Sequence, residues 1–463
     1  MSTFRTHIAG VPVAELARQF GTPTFVYDAA MIRRRIADLA AFDVVRYAQK
    51  ACSNLAILDL IRRQGVLVDA VSAGEIGRAL AAGYPAFFTT RGQSPTECSV
   101  GQTFLSALVA DISKADKNVC PTVVRNAGYA PTGEPPPIVY TADIFDAESL
   151  DLCVEHHLHV NCGSPDMIEQ YGSRAPGRNI TLRINPGFGH GHSRKTNTGG
   201  KQSKHGIWHA QLGECLARAR RCQLAVTGLH MHIGSGTDLE HLSQVCGAMQ
   251  EAAEEAGPTL TSISAGGGLP TVYRATDSCV DLDAYFALWN ATRRRLQERF
   301  GHALRLEIEP GRYLVAESGC LVTEIRAVKR QDDNTFYLLD AGFNNLARPI
   351  LYGSYHPMSV VPSDGDTARA EREVIVGGPL CESGDIFTQE EGGFVCTRRL
   401  PEAKVGELLV IECAGAYGFV MGSNYNSKPL AAEVLIDDAC PHLIRRRQTF
   451  EDLVRGEEIP DGR

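Results

Sequence analysis

Val44-Val45-Arg46-Tyr47-Ala48-Gln49-Lys50-Ala51-Cys52-Ser53-Asn54 opens the stretch that decides the fold. Its first four residues are β-branched or aromatic around one arginine, which predicts a short strand. Leu55 to Gln64 then carries apolar residues at helical spacing. The unit repeats at once: Val66 to Val71 reads as a strand, and Glu75 to Ala82 as a helix closed by Gly83. Further strands are expected at Ile138–Thr141, Val160–Asn161, Thr181–Ile184, Val226–His232, Ser262–Ala265 and Arg305–Ile308. Strands alternating with helices imply a parallel sheet. About eight repeats favour a closed (β/α)8 TIM barrel over an open sheet, here spanning 28–310. Beyond Gly311 the rhythm changes. Leu321–Val328, Thr335–Asp340, Glu373–Val376, Leu408–Cys413 and Ala432–Ile436 read as strands separated by Gly, Pro and Asp turns. This predicts a second, mostly antiparallel β domain built from 1–27 and 311–463, with Phe25-Val26-Tyr27 adding a strand to it.

Composition narrows the class. The chain has 463 residues, 44% of them hydrophobic, which is core enough for two or three domains. No apolar run reaches the ~18–20 residues of a membrane span. Met1 to Gly10 lacks the apolar core of a secretion signal. A net charge of −8 argues against a nucleic-acid footprint. The basic runs Arg33-Arg34-Arg35 and Arg445-Arg446-Arg447 read as solvated faces. The 14 cysteines are scattered without Cys-x-x-Cys spacing and read as reduced thiols. A cytoplasmic protein that binds neither membrane nor nucleic acid is expected.

Residues that can do chemistry collect where strands end. Lys50 follows the first strand. At the C-terminal end of a barrel strand its amine faces the mouth and could condense with an aldehyde cofactor, although a lone lysine there could equally be a surface residue. His230-Met231-His232-Ile233-Gly234-Ser235-Gly236 follows another strand, and alternation puts His230 and His232 on one face. They could pair on a metal, for which no third ligand is evident. Alternatively one ring lies on a flat cofactor while Gly234 and Ser235 donate to a phosphate. Gly266-Gly267-Gly268 ends the next strand, where successive backbone N–H groups can close on an anion. In Glu309-Pro310-Gly311-Arg312 the carboxylate and guanidinium either pair with each other or serve opposite poles of a ligand. The β domain contributes Arg348-Pro349-Ile350-Leu351-Tyr352, Gly378-Pro379-Leu380-Cys381-Glu382-Ser383-Gly384-Asp385 and Gly415-Ala416-Tyr417-Gly418.

In combination and in this order, these motifs resemble the fold-type III pyridoxal-phosphate decarboxylases. Within them the likeness is strongest to the branch acting on meso-diaminopimelate. It runs from about Thr22 to Arg447 and takes in Asn185–Ser193 and Ser203–Gly206. The resemblance implies a carboxy-lyase that forms L-lysine and CO2, with pyridoxal phosphate held on Lys50. It implies that His232 stacks on the pyridine ring, and that Glu309 bonds its nitrogen. Gly234, Ser235, the Gly266–Gly268 loop and Tyr417 would bind the phosphate, and Pro310, Gly311 and Arg312 would also bind the cofactor. Arg312, Arg348, Tyr352 and Tyr417 would hold the far end of the substrate by its carboxylate, and Glu382 the far amine. Cys381 would lie near the reacting carbon, supplied by the second subunit of a homodimer with shared sites. No metal is implied. The alternatives are a decarboxylase of another basic amino acid (ornithine, arginine or carboxynorspermidine), a racemase of the same cofactor class, or a non-catalytic cofactor-binding homologue.

One stretch, Ala86 to about Asn126, shows no clean barrel element and reads as an insertion. Gly83-Tyr84-Pro85 recurs loosely as Gly128-Tyr129-Ala130-Pro131, as if the junction were duplicated. A helix-to-strand loop lies at the N-terminal face of a barrel, away from catalytic groups, so the segment is expected to be silent for activity and poorly ordered. Gly101-Gln102-Thr103-Phe104-Leu105-Ser106 can be encoded by a sequence whose reverse complement, in a shifted frame, spells Asp116-Lys117-Asn118-Val119-Cys120-Pro121. This points to a palindromic DNA element inserted in frame and translated. Sequencing the gene is expected to show an inverted repeat joining these two codon blocks; unrelated codons there would refute that origin.

Overall fold

Local signals start the helices where the apolar spacing places them. Asn54 accepts the Ala56 N–H and opens the helix Leu55–Arg63. Ser72 caps Ala73–Ala81. Asp146 and Ser149 form a reciprocal capping box on Ala147–Glu155. The structure, a computed structural model, describes residues 4–86, 133–189, 198–232 and 238–460. The insertion expected at 86–126, with its order, and the phosphate ligands expected at Gly234 and Ser235 lie outside the described residues, apart from Ala86.

Eight parallel strands form the first sheet: Val44–Ala48, Leu67–Ala70, Ile138–Ala142, His159–Cys162, Asn179–Asn185, Ala225–His230, Ser262–Ser264 and Arg305–Ile308. Neighbours pair in sequence order, and Arg305–Ile308 returns to Val44–Ala48, so the sheet closes. The strands coincide with the predicted ones to within a residue or two. His232, placed at the end of a strand by the alternation, lies two residues beyond His230, where that strand stops.

The second sheet is centred on Gly319–Gln331, which pairs antiparallel with Asn334–Leu339, Leu408–Ile411 and Thr24–Asp28. The N-terminal strand thus enters this domain, as Phe25-Val26-Tyr27 suggests. Most pairings are antiparallel, but Asn334–Leu339 with Glu371–Gly377, and Thr24–Asp28 with Ala432–Asp437, are parallel. Met358–Val361, Arg398–Pro401 and Cys440–Arg445 are strands that the sequence pattern does not reveal. The basic runs are less free than expected: Arg33 pairs with Asp437, Arg35 with Glu317, Arg445 with Glu433 and Arg446 with Asp452.

The barrel lumen is not the aliphatic filling usual for this fold. Arg46, Asp69, Asn161, Arg183, His230, Glu307 and Glu309 are all buried in it. Near the N-terminal pole Arg46 Nε donates to Glu307 Oε2 at 2.8 Å and its Nη1 to the Pro136 carbonyl at 2.6 Å. Arg305 donates to the Gly133 carbonyl. The chain therefore re-enters the described structure clamped to the pole opposite the mouth. Arg46 is 2% exposed, so losing its counter-charge strands a buried cation. Glu307→Gln is expected to lower stability by about 3–5 kcal/mol in urea unfolding, and a loss below about 1 kcal/mol would contradict this role for the pair.

Candidate active site

The strand ends converge on a cavity of about 840 Å³ at the C-terminal mouth of the barrel. Lys50 lies on a single turn, Gln49–Ala51, directly after the first strand, and its exposed side chain lines the cavity. Asp69, Arg183, His230, His232 and Glu309 form the deeper wall, and Arg312, Arg348, Tyr352 and Tyr417 the outer wall.

Glu309 does not pair with Arg312. His230 Nε2 donates to one of its oxygens at 2.8 Å, and Ser264 Oγ to the other at 2.9 Å. Burial pushes this carboxyl up, but the charge and hydrogen bond of His230 and the Ser264 hydroxyl outweigh it and hold the group below its usual range. Asp69 goes the other way. Burial raises it most, Glu309 raises it further, and Lys50 opposes them only in part. Two carboxyls of the mouth are thus pushed in opposite directions, Glu309 down and Asp69 up, the kind of split that marks sites of acid–base work. Arg312 turns outward, over the ring of Tyr417 at 5.8 Å.

His230 and His232 share a cavity but not a task. His232 Nδ1 accepts the Gly267 N–H at 3.2 Å, and burial with Arg183 and Lys50 nearby keeps its ring neutral. Among the described residues no group of three His, Cys, Asp or Glu side chains could hold a metal ion. The glycine loop is dictated by close approach. A Cβ on Gly266 would fall 2.6 Å from the Met231 carbonyl oxygen, and one on Gly267 2.6 Å from that of Glu309. With no side chain, the loop lies flat against His232 and leaves the space above it for a ligand. Gly267, Gly268 and Gly311 line the cavity. Gly266 and Pro310 stand behind it: Gly266 N–H donates to Ser264 Oγ, and the Pro310 carbonyl accepts from Ala48. Tyr417 adopts φ +58°, rare for a residue with a side chain, while its N–H donates to the Ala51 carbonyl. Its side chain lines the same cavity as Lys50.

Arg348 begins the short helix Arg348–Tyr352 and is 4% exposed. Among the described residues no carboxylate forms an ion pair with it. Cys381 and Glu382 are exposed and do not line their own chain's cavity. Their turn is fixed by Asp385, whose carboxylate accepts N–H bonds from Phe343 and Leu380, while Asn426 accepts the Cys381 N–H.

Several residues of the site escape the motif reading. Asp69 and Arg183 are single charges inside apolar strands, Leu67–Ala70 and Asn179–Asn185, and a charge in such a run is the signal that could have found them. Asp143 accepts from His205 Nδ1 at 2.5 Å and from the Gly206 N–H, pinning the Ser203–Gly206 stretch to the end of a barrel strand. Thr198 donates to the His232 carbonyl from the same loop.

A barrel whose mouth carries an accessible lysine, a glycine cradle and a buried ionised carboxylate has the parts of an aldehyde-cofactor enzyme. Residues 29–90 and 122–316 match the family described as pyridoxal-dependent decarboxylase, pyridoxal binding domain. The chain belongs to the pyridoxal-dependent decarboxylases. It is 49% identical to the diaminopimelate decarboxylase of Escherichia coli K12, over 97% of each chain. It is also 49% identical to that of Streptomyces coelicolor, over 97% of this chain and 92% of the relative. A solved diaminopimelate decarboxylase superposes with a TM-score of 0.85 at 48% identity, covering 98% of both chains. The Helicobacter pylori enzyme complexed with L-lysine superposes with a TM-score of 0.77 at 28% identity, covering 96% of this chain and 98% of that one.

Proposed function

We propose that this chain removes one carboxyl group of meso-diaminopimelate as CO2 and releases L-lysine, with pyridoxal phosphate carried on Lys50. The observation behind the substrate assignment is Arg348. It is a buried cation on the cavity wall without an anionic partner among the described residues, and such a charge calls for a carboxylate from the ligand. The full-length likeness to diaminopimelate decarboxylases supports the same choice.

The residues present fit the cofactor. The glycine loop gives a flat anion cradle beside the neutral ring of His232, and Glu309 offers an ionised oxygen at the cavity floor. When bound, pyridoxal phosphate supplies a sink for the electron pair left on carbon as CO2 departs. Lys50 would hold the cofactor through its amine. Glu309 would hold the ring nitrogen of the cofactor, and His232 would hold its ring. Gly267, Gly268 and Tyr417, with Gly234 and Ser235, hold the phosphate, while Arg312, Arg348 and Tyr352 hold the far carboxylate. Glu382 receives the far ammonium. A proton from Lys50 or Cys381 replaces the lost carboxyl group.

The exposure of Cys381 and Glu382, away from their own cavity, supports a homodimer in which each subunit completes its neighbour's site. We place the enzyme in the cytoplasm. Every described cysteine is a free thiol, as a reducing compartment requires. No helix among the described residues is long and apolar enough to cross a membrane.

The purified protein is expected to form L-lysine and CO2 in equal amounts from meso-diaminopimelate. Lys50→Ala is expected to lose both products together with the visible absorbance of bound cofactor. Turnover of ornithine without turnover of meso-diaminopimelate would overturn the substrate; bound cofactor with no CO2 from either would overturn the reaction.

A further inference from the structure

Resting on the reading of Arg348 as the far-carboxylate site, we infer that His356 is the positioning residue that makes Arg348 selective, by acting as a neutral acceptor for its guanidinium. His356 is 1% exposed, eight residues after Arg348. Its Nδ1 lies 2.9 Å from the backbone carbonyl oxygen of Glu412. A carbonyl can only accept, so Nδ1 carries the proton and Nε2 presents a bare lone pair. Arg348 Nη1 donates to that Nε2 at 3.1 Å and to the Tyr273 hydroxyl at 3.0 Å. The guanidinium also lies over the Tyr273 ring, 5.1 Å from its centroid, and that ring meets His356 edge-on at 78°. One nitrogen of the fork is thus satisfied twice, and the plane of the group is fixed against an aromatic face. Arg348 also lines the cavity.

What matters is that none of these partners is charged. A buried arginine usually has a carboxylate beside it. Glu412 offers His356 its backbone carbonyl, and its carboxylate pairs with Arg5. Burial and the Arg348 charge push the His356 ring down to about 3, so it stays neutral at any working pH. A carboxylate at position 356 would hold Arg348 more tightly, yet it would cancel the charge that the substrate must find. A neutral acceptor orients the guanidinium and leaves its charge for the ligand. The backbone of Glu412 sets the tautomer, the tautomer makes Nε2 an acceptor, and the acceptor aims the arginine.

The test compares His356→Gln, His356→Leu and His356→Glu with the wild-type holoenzyme, measuring kcat and KM for meso-diaminopimelate and cofactor absorbance for each. His356→Gln retains a neutral acceptor, and its KM is expected to stay within about threefold of wild type. His356→Leu leaves Arg348 without one hydrogen bond, and KM should rise about tenfold at little change in kcat. His356→Glu should raise KM by about a hundredfold or more, with cofactor absorbance retained. Equal KM values for the Gln and Glu variants would overturn the inference. So would a parallel loss of kcat and cofactor in every variant, since that marks a merely structural residue. Arg348→Ala separates the two levels. If it leaves KM unchanged, the assignment of Arg348 itself fails; if it raises KM while His356→Glu does not, only the role of His356 fails.

Discussion

A carboxylate that must stay ionised while buried is the constraint on which this structure turns. Glu309 is 8% exposed at the floor of the barrel mouth, where an unassisted carboxyl would take up a proton. Two neighbours prevent this: the His230 imidazole N–H and the Ser264 hydroxyl, each on a different oxygen. The barrel register brings them there, since His230, Ser264 and Glu307 stand side by side on three adjacent strands and Glu309 follows just beyond. Closure of the sheet is thus a condition of the charge. The charge in turn helps to push the Asp69 carboxyl up, and it fixes the polarity of whatever is bound above it.

The outer part of the cavity solves the opposite problem. Arg348 has to stay charged and buried with no counter-ion among the described residues, and it does so among a phenol, an aromatic face and a neutral imidazole. Two histidines therefore work in opposite senses. His230 gives a hydrogen bond to make an anion tolerable, and His356 takes one to steady a cation. Which role each plays is set by the group behind it, a carboxylate in one case and a backbone carbonyl in the other. Glu309 belongs to the barrel and Arg348 to the β domain. A ligand with an amino-acid head at each end is suited to a cleft divided in this way.

Much of this was legible in the chain. The barrel strands announced themselves because short β-branched runs alternated with helical spacing, and the Lys50, His230–Gly236, Gly266–Gly268 and Glu309–Arg312 motifs each followed one of those runs. The glycine triplet was legible because three successive glycines have few purely structural uses. Asp69 and Arg183 were not, because lone charges inside apolar strands look like interruptions until the barrel closes around them. The pairing of His230 with Glu309 was hidden because 79 residues separate them, and only register brings them together. His356 carries no motif signal at all, since its role depends on the Glu412 carbonyl in a distant strand connection. The basic runs were misread as free faces because their acidic partners, such as Asp437 for Arg33, also lie far away in sequence.

The most direct measurement is the protonation state of the cofactor's ring nitrogen in the holoenzyme. It can be read by NMR with pyridoxal phosphate isotopically labelled at that atom. If Glu309 is held as a carboxylate by His230 and Ser264, the nitrogen is protonated in the wild type throughout the working pH range and loses its proton in Glu309→Gln. A wild-type nitrogen without a proton, or the same signal in both proteins, would contradict the account.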